Sequence, residues 1–393
     1  MEAATQTDRI TTTVQDLPRE TSAAHLVSTR IPALDGIRGL AVLMVLVFHY
    51  HQGMLSLPEF WLTEPLHFLN FGQTGVDLFF VLSGFLITGI LLDAKGSPHF
   101  LRMFYMRRIL RILPLYYLVV LGFLVTGWIS AAPSCRFDRV WWYLVYLQNL
   151  GMTFWPRSVG GPGHFWSLGV EEHFYLFWPF LILLCSEKKL PLVLLVVISF
   201  ALVSRVGLLS MGYDVFTFSL SRMDALALGA LLAVLLRRPA LAYKTTNACR
   251  WSLAISGPVL LFCYPLTSGK ALFGMQVIKY TLIALCYTTL IGVTVGLGGF
   301  EPLRRLFENK FLRWCGKYSY AMYVFHVPLY GAIMTLVRSS APLAQMNPGR
   351  FMVCEFSICV LTTFLAAWIS WHLFEGPLLG LKRHFEYRRS SKT

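Results

Sequence analysis

Charge is what this 393-residue chain has least of. Charged residues make up 14% of it, and only 20 are acidic, against 34 Lys and Arg. An ordinary soluble domain carries about a quarter charged residues, so this scarcity excludes one, and the 56% hydrophobic content agrees. A secretory leader is also missing: residues 1–30 are polar, with Thr11-Thr12-Thr13 and scattered Asp and Glu, and lack an apolar run after a basic start. A disordered cytoplasmic tail is expected there. The eight cysteines fall in no CxxC or zinc-like spacing. Several, such as Cys185, Cys263, Cys286, Cys354 and Cys359, sit in apolar stretches and read as small buried hydrophobes, so no metal site is expected. No fixed-period repeat or low-complexity tract is present, and no polar connection is long enough for a soluble domain.

What remains is a series of apolar stretches near spanning length, at about 39–54, 75–94, 111–129, 167–185, 189–211, 222–236, 251–267, 277–298, 318–337 and 351–374. They define an all-α fold, a polytopic membrane helix bundle of about ten transmembrane helices. The expected division is a tail at 1–30, one membrane domain at 31–378 and a basic tail at 379–393. The aromatic run from Trp141-Trp142-Tyr143 is too short to span and reads as interfacial or re-entrant.

In the ten-span reading, Lys95, Arg102, Arg107, Arg108, Arg111, Lys188, Lys189, Arg237, Arg238, Lys244, Arg250, Arg304, Arg305, Lys310, Arg313 and Lys317 fall on one side. Lys382, Arg383, Arg388 and Arg389 join them, while Arg136, Arg139 and Arg157 are among the few opposite. Positive residues stay inside, which puts both termini in the cytoplasm. The net charge of +14 is then topological, with membrane lipids rather than nucleic acid as its partner.

Two ionisable residues break the first apolar stretch. Arg38 and His49 are eleven positions apart, which on a helix is a net turn of about 20° and a climb of about 16 Å. Both lie on one face, the cation near the membrane edge and the imidazole deep. Intramembrane charge is expensive and points to function. The pair suits a long substrate with an anionic head and a reactive end, the shape of an acyl thioester of coenzyme A. Asp35 is placed to pair with Arg38, and Asp77, among Val76, Leu78 and Phe79, with an intramembrane cation.

Other patterns follow. Arg108 and Arg111 are three apart at a cytoplasmic helix start and project to one side, either as forks for phosphates or as topology signals. Glu171, Tyr175 and Trp178 share a helix face, with Glu171 expected to open the fourth span at the outer side. Glu171 is a candidate either to hold the His49 tautomer or to position an acceptor hydroxyl, and the sequence leaves both open. Ser319, Tyr323 and His326 repeat the spacing. His326, beside Val327-Pro328, reads as an interhelical hydrogen-bond partner before a catalyst and is a secondary candidate.

Five blocks occur in order: Ala33-Leu34-Asp35-Gly36-Ile37-Arg38 through His49; Gly75-Val76-Asp77-Leu78-Phe79-Phe80-Val81-Leu82-Ser83-Gly84-Phe85-Leu86-Ile87; Phe104-Tyr105-Met106-Arg107-Arg108-Ile109-Leu110-Arg111-Ile112-Leu113-Pro114; Phe165-Trp166-Ser167 through Glu171-Glu172-His173-Phe174-Tyr175-Leu176; and Ser319-Tyr320-Ala321-Met322-Tyr323-Val324-Phe325-His326-Val327-Pro328. Together they resemble the acyltransferase 3 family, membrane enzymes that move acyl groups onto sugars. One departure is His173, where many members carry Gln. Members that modify peptidoglycan or O-antigen often add a soluble hydrolase-like domain, and no segment here is expected to form one.

The resemblance implies an O-acyltransferase with His49 and Glu171 catalytic and Arg38, Arg108 and Arg111 on the phosphates of acyl-CoA. Secondary candidates are Asp35, Asp77, Tyr175, Ser319, Tyr323 and His326. Acyl-CoA, expected to be acetyl-CoA, is a co-substrate rather than a resident cofactor. The acceptor is a polysaccharide or lipid-linked sugar, with a small glycosylated metabolite such as a macrolide as the alternative. Direct attack on the thioester is preferred to a covalent route because no GxSxG elbow is present. A transporter should show paired half-chains with broken helices, and a glycosyltransferase a metal-binding acidic pair in a loop; neither is visible.

Overall fold

Helix formation begins well ahead of several of the apolar stretches. The computed structural model describes residues 31–54, 64–130, 133–264, 273–339 and 347–385. The expected tail at 1–30 and the last part of the basic tail lie outside the described residues. Ten described helices are eighteen residues or longer: α1 (Pro32–Met54), α2 (Gly75–Ala94), α3 (Phe100–Ser130), α4 (Trp166–Leu184), α5 (Leu190–Ser210), α6 (Ser219–Leu236), α7 (Pro239–Cys263), α8 (Phe273–Val295), α9 (Lys310–Ser339) and α10 (Pro348–Ser370). Their order matches the ten expected stretches, and the protein is a helical membrane bundle.

The count of ten spans is not exact. Seven segments among the described residues are long and apolar enough to cross a membrane, and α4, α7 and α9 are not among them. Those three carry polar groups along their length: Glu171, Glu172 and His173 on α4, Lys244 and Arg250 on α7, Arg313, Lys317 and His326 on α9. A helix can afford such residues only where neighbours cover them.

α1, α3, α7 and α9 each start seven to twelve residues before the apolar stretch that announced them. The helix therefore runs on through the basic turns, and Arg38, Arg108 and Arg111 sit inside helices rather than in loops. The aromatic run forms two short helices, Phe137–Leu144 and Gln148–Phe154. Gln148 and Asn149 are fully buried and Trp141 stacks on Trp142, so the run enters the bundle instead of spanning it.

The closest helix packing is α1 on α9 and α2 on α6. Both depend on glycine. A Cβ on Gly39 would overlap the carbonyl of Leu312, and one on Gly316 the carbonyl of Asp35. Gly84 faces the Leu226 carbonyl and Gly229 the Val81 carbonyl in the same way. Small residues let backbones meet, which is how helices gain packing energy where lipid offers no hydrophobic drive. α2, α6 and α8 are mostly buried as a result, whereas α5 and α10 present rows of Leu, Val, Ile and Trp outward. At the basic end, the Lys95 ammonium donates to the carbonyls of Ile182 and Cys185 at 2.6 and 2.7 Å, which ties α2 to the end of α4.

Gly229→Leu should force α2 and α6 apart and cost about 3 kcal/mol, the upper range for overpacking. Thermal unfolding of the detergent-solubilised protein checks this, with Gly122→Leu as the comparison because nothing lies within 4 Å of a Cβ there. Equal melting of the two variants would refute the close approach.

Candidate active site

α1 and α3 bring three arginines to one cavity. Its volume is about 290 Å³, and Arg38, Arg108 and Arg111 line it with Asp35, Ser83, Glu171, Tyr175, Ser319 and Tyr323. The guanidinium of Arg38 lies 3.5 Å from the Asp35 carboxylate one turn earlier. Arg108 sits over the Tyr175 ring at 5.2 Å and near Phe104 at 5.8 Å. Neither Arg108 nor Arg111 has a carboxylate partner among the described residues, so their forks remain available to an anion. Arg107 turns away and donates to the Phe385 carbonyl at 3.2 Å.

Glu171 lies one and a half turns inside α4 and not at its outer start, since α4 begins at Trp166 and His164 and Phe165 before it are already buried. Its carboxylate accepts from Ser83 Oγ at 2.7 Å and from the Tyr175 hydroxyl at 2.9 Å. These contacts put it on the arginine cavity. It makes no contact with His49, so the alternative in which it holds the His49 tautomer is not the arrangement found.

His49 does not line this cavity either. It lies farther along α1, beside two other imidazoles: its ring centroid is 4.7 Å from His326 and 6.4 Å from His164, and those two are 4.8 Å apart. Tyr323 joins the two regions. It lines the cavity, its hydroxyl donates to the His164 carbonyl and meets Ser167, and its ring is 5.6 Å from His326.

Hydrogen bonding fixes the tautomers in this cluster. His326 Nδ1 lies 2.7 Å from the Tyr323 carbonyl, an acceptor, so Nδ1 carries the proton and Nε2 is bare in the neutral ring. That Nε2 is 3.2 Å from His49 Nδ1, which also faces the Val45 carbonyl at 2.9 Å. With acceptors on both sides, His49 Nδ1 must be the donor. His49 Nε2 is then left with a lone pair, the state a general base requires. His164, on the turn before α4, is held neutral: burial pushes its imidazole down to about 3.

Asp77 finds its expected cation. Arg222 of α6 contacts it at 2.5 Å, and Arg205 of α5 pairs with Asp224 at 2.5 Å, all four side chains being almost fully buried. Arg205 also donates to the carbonyls of Ser221 and Val277 and to Thr281. Arg222 is enclosed by rings, 4.0 Å from Tyr280, 5.5 Å from Phe216 and 5.8 Å from Phe80 and Trp166. Sequence reasoning missed both arginines, although each interrupts or opens an apolar stretch as Arg38 does. Ser83 and His164 were missed as well. Ser83 was visible only as part of a block, and nothing in the spacing of His164 marks it. Ser319 is turned inward on its own helix, donating to the Gly316 carbonyl at 3.0 Å. Among the described residues, no group of His, Cys, Asp and Glu has the arrangement of a metal site.

The described residues thus form a helical membrane bundle with an arginine-lined cavity and, apart from it, a histidine cluster. The chain belongs to the family of acyltransferase domains, whose profile matches residues 31–372. It is 28% identical over 385 residues to a peptidoglycan O-acetyltransferase of Listeria monocytogenes, covering 88% of this chain and 56% of that protein. A Bacillus subtilis protein provisionally assigned as a peptidoglycan O-acetyltransferase is 28% identical over 379 residues, covering 88% and 55%. A provisionally assigned O-acetyltransferase of Staphylococcus aureus is 27% identical over 386 residues, covering 88% and 57%. The chain thus spans just over half the length of these relatives. No solved structure matches it.

Asp77→Ala strands a buried guanidinium and should destabilise the protein by about 3–5 kcal/mol. The pair Asp77→Leu with Arg222→Met should recover most of that loss. Thermal unfolding in detergent distinguishes them, and a double variant no more stable than Asp77→Ala would show that the pair is not what costs.

Proposed function

We propose that the protein is an integral membrane O-acetyltransferase that takes an acetyl group from acetyl-CoA on the basic face of the bundle and passes it to a carbohydrate hydroxyl. The basic face is the cytoplasmic one in this reading, with both termini on that side of the cell membrane. The observation that carries the proposal is the cavity in which Arg38, Arg108 and Arg111 converge, two of them with free forks, beneath a histidine whose Nε2 is bare. Planar guanidinium forks match phosphate oxygens, and the nucleotide end of coenzyme A carries several.

The thioester end then points along the cavity toward Tyr323 and the histidines. His49 Nε2 takes the proton of the acceptor hydroxyl as its oxygen attacks the thioester carbonyl. The carbon–sulfur bond breaks, the ester forms, and the proton returns from His49 to the leaving thiolate. The His49 Nδ1–H bond to His326 strengthens as the ring becomes cationic. Glu171, held by Ser83 and Tyr175, sets the electrostatics of the cavity rather than the tautomer. The names of the relatives support acetyl as the group and a glycan hydroxyl as the acceptor.

His49→Ala should lower acetyl transfer by about 10²–10⁴-fold in a protein that still inserts and melts normally. Thioester turnover with purified protein in detergent measures this, and substantial residual transfer overturns the assignment. Arg111→Glu should weaken CoA binding with insertion unchanged, because many other Lys and Arg share the work of orientation. Equal CoA affinity in wild type and variant would mean that Arg111 is a topology signal only.

A further inference from the structure

A second cavity, of about 360 Å³, opens at the end of the bundle opposite the basic loops. It shares no lining residue with the arginine cavity. The Asp77–Arg222 pair stands between them: Asp77 lines the second cavity, and Arg222 reaches over Phe80, which lines the first, and Tyr280, which lines the second.

Its wall brackets His49. Phe48 precedes the histidine, with ring centroids 5.0 Å apart, and Gln52 follows it by about one turn. Gln52 donates to Asn70 Oδ1 at 2.6 Å, while the Gln73 amide makes no hydrogen bond to the described residues. Lys279 has no ion-pair partner among them and rests its ammonium 4.8 Å from the Tyr280 ring centroid. Asp77 is already neutralised by Arg222, so Lys279 is the uncompensated charge of the cavity.

An amide such as that of Gln73 selects a hydroxyl-bearing ligand, aromatic rings offer a face for the apolar side of a sugar ring, and a lone ammonium selects an anion. A lipid tail would leave these polar groups unmet. Resting on the acetyl-transfer reading above, we infer that this cavity holds the acceptor, and that the acceptor is a sugar unit carrying an anionic substituent, a carboxylate or a phosphate, paired with Lys279. The acceptor hydroxyl then approaches His49 from the Phe48 and Gln52 side, while the acyl donor approaches from the arginine side.

The test compares two probes on the full chain in detergent micelles: a tetrasaccharide of glucuronic acid residues and a tetraglucose of the same linkage, titrated by saturation-transfer NMR. The acidic probe should bind about tenfold more tightly or better, the range of a hydrogen bond to a charged group. Lys279→Gln should remove the preference and Lys279→Arg should keep it, with CoA affinity unchanged in both. Equal binding of the two probes to the wild type overturns the inference without any variant, and so does an intact preference in Lys279→Gln. Selective saccharide binding by a protein that transfers no acetyl from acetyl-CoA would leave the cavity standing and remove the acetyl-transfer reading. Acetyl transfer to both probes at equal rates, with no selectivity in binding, would do the reverse.

Discussion

An arginine inside a membrane protein must find its counter-charge within the fold, because the lipid offers none. Two Arg–Asp pairs meet that requirement here. Arg222–Asp77 joins α6 to α2, and Arg205–Asp224 joins α5 to α6, with Thr281 of α8 donating to the Asp224 carboxylate. Four helices are therefore held in register by contacts that cannot slide without leaving a charge uncovered. The glycine contacts of Gly84 and Gly229 bring α2 and α6 close enough for the first pair to form. Packing and electrostatics specify the same arrangement.

The arginines of the cavity differ from these structural ones. Arg38 has a carboxylate at 3.5 Å, but Arg108 and Arg111 are met by aromatic faces and open space. Arg205 and Arg222 each have a carboxylate partner, whereas Arg108 and Arg111 have none among the described residues, and an incoming anion would supply one. The same contrast runs through the histidines. His49, His326 and His164 form a cluster in which carbonyls of Val45 and Tyr323 set where the protons lie.

The sequence reading anticipated the helices well and their ends less well. Apolar length locates a span because every backbone group in lipid must be satisfied internally, which only a helix of about twenty residues does alone. It says nothing about a helix that continues through Arg102–Arg111 or Lys310–Lys317 with neighbours covering the charges. For the same reason α4, α7 and α9, which carry polar groups into the bundle, fall short on apolarity although they are long enough. Asp35 with Arg38, and Asp77 with some buried cation, were legible because a lone intramembrane charge demands a partner. Which cation served Asp77 was not, since Arg222 is 145 positions away.

By itself the sequence determined an all-α membrane bundle and the set of polar residues too costly to bury without purpose. Helical periodicity also placed Arg38 and His49 on one face, and Glu171 with Tyr175 on another. Only the tertiary structure decided how those sets divide: Glu171 joins the arginines, while His49 joins His326 and His164. Periodicity orders residues along one helix, but the partners of a side chain on another helix depend on which backbones approach closely, and here glycines and buried ion pairs far apart in the chain set that approach.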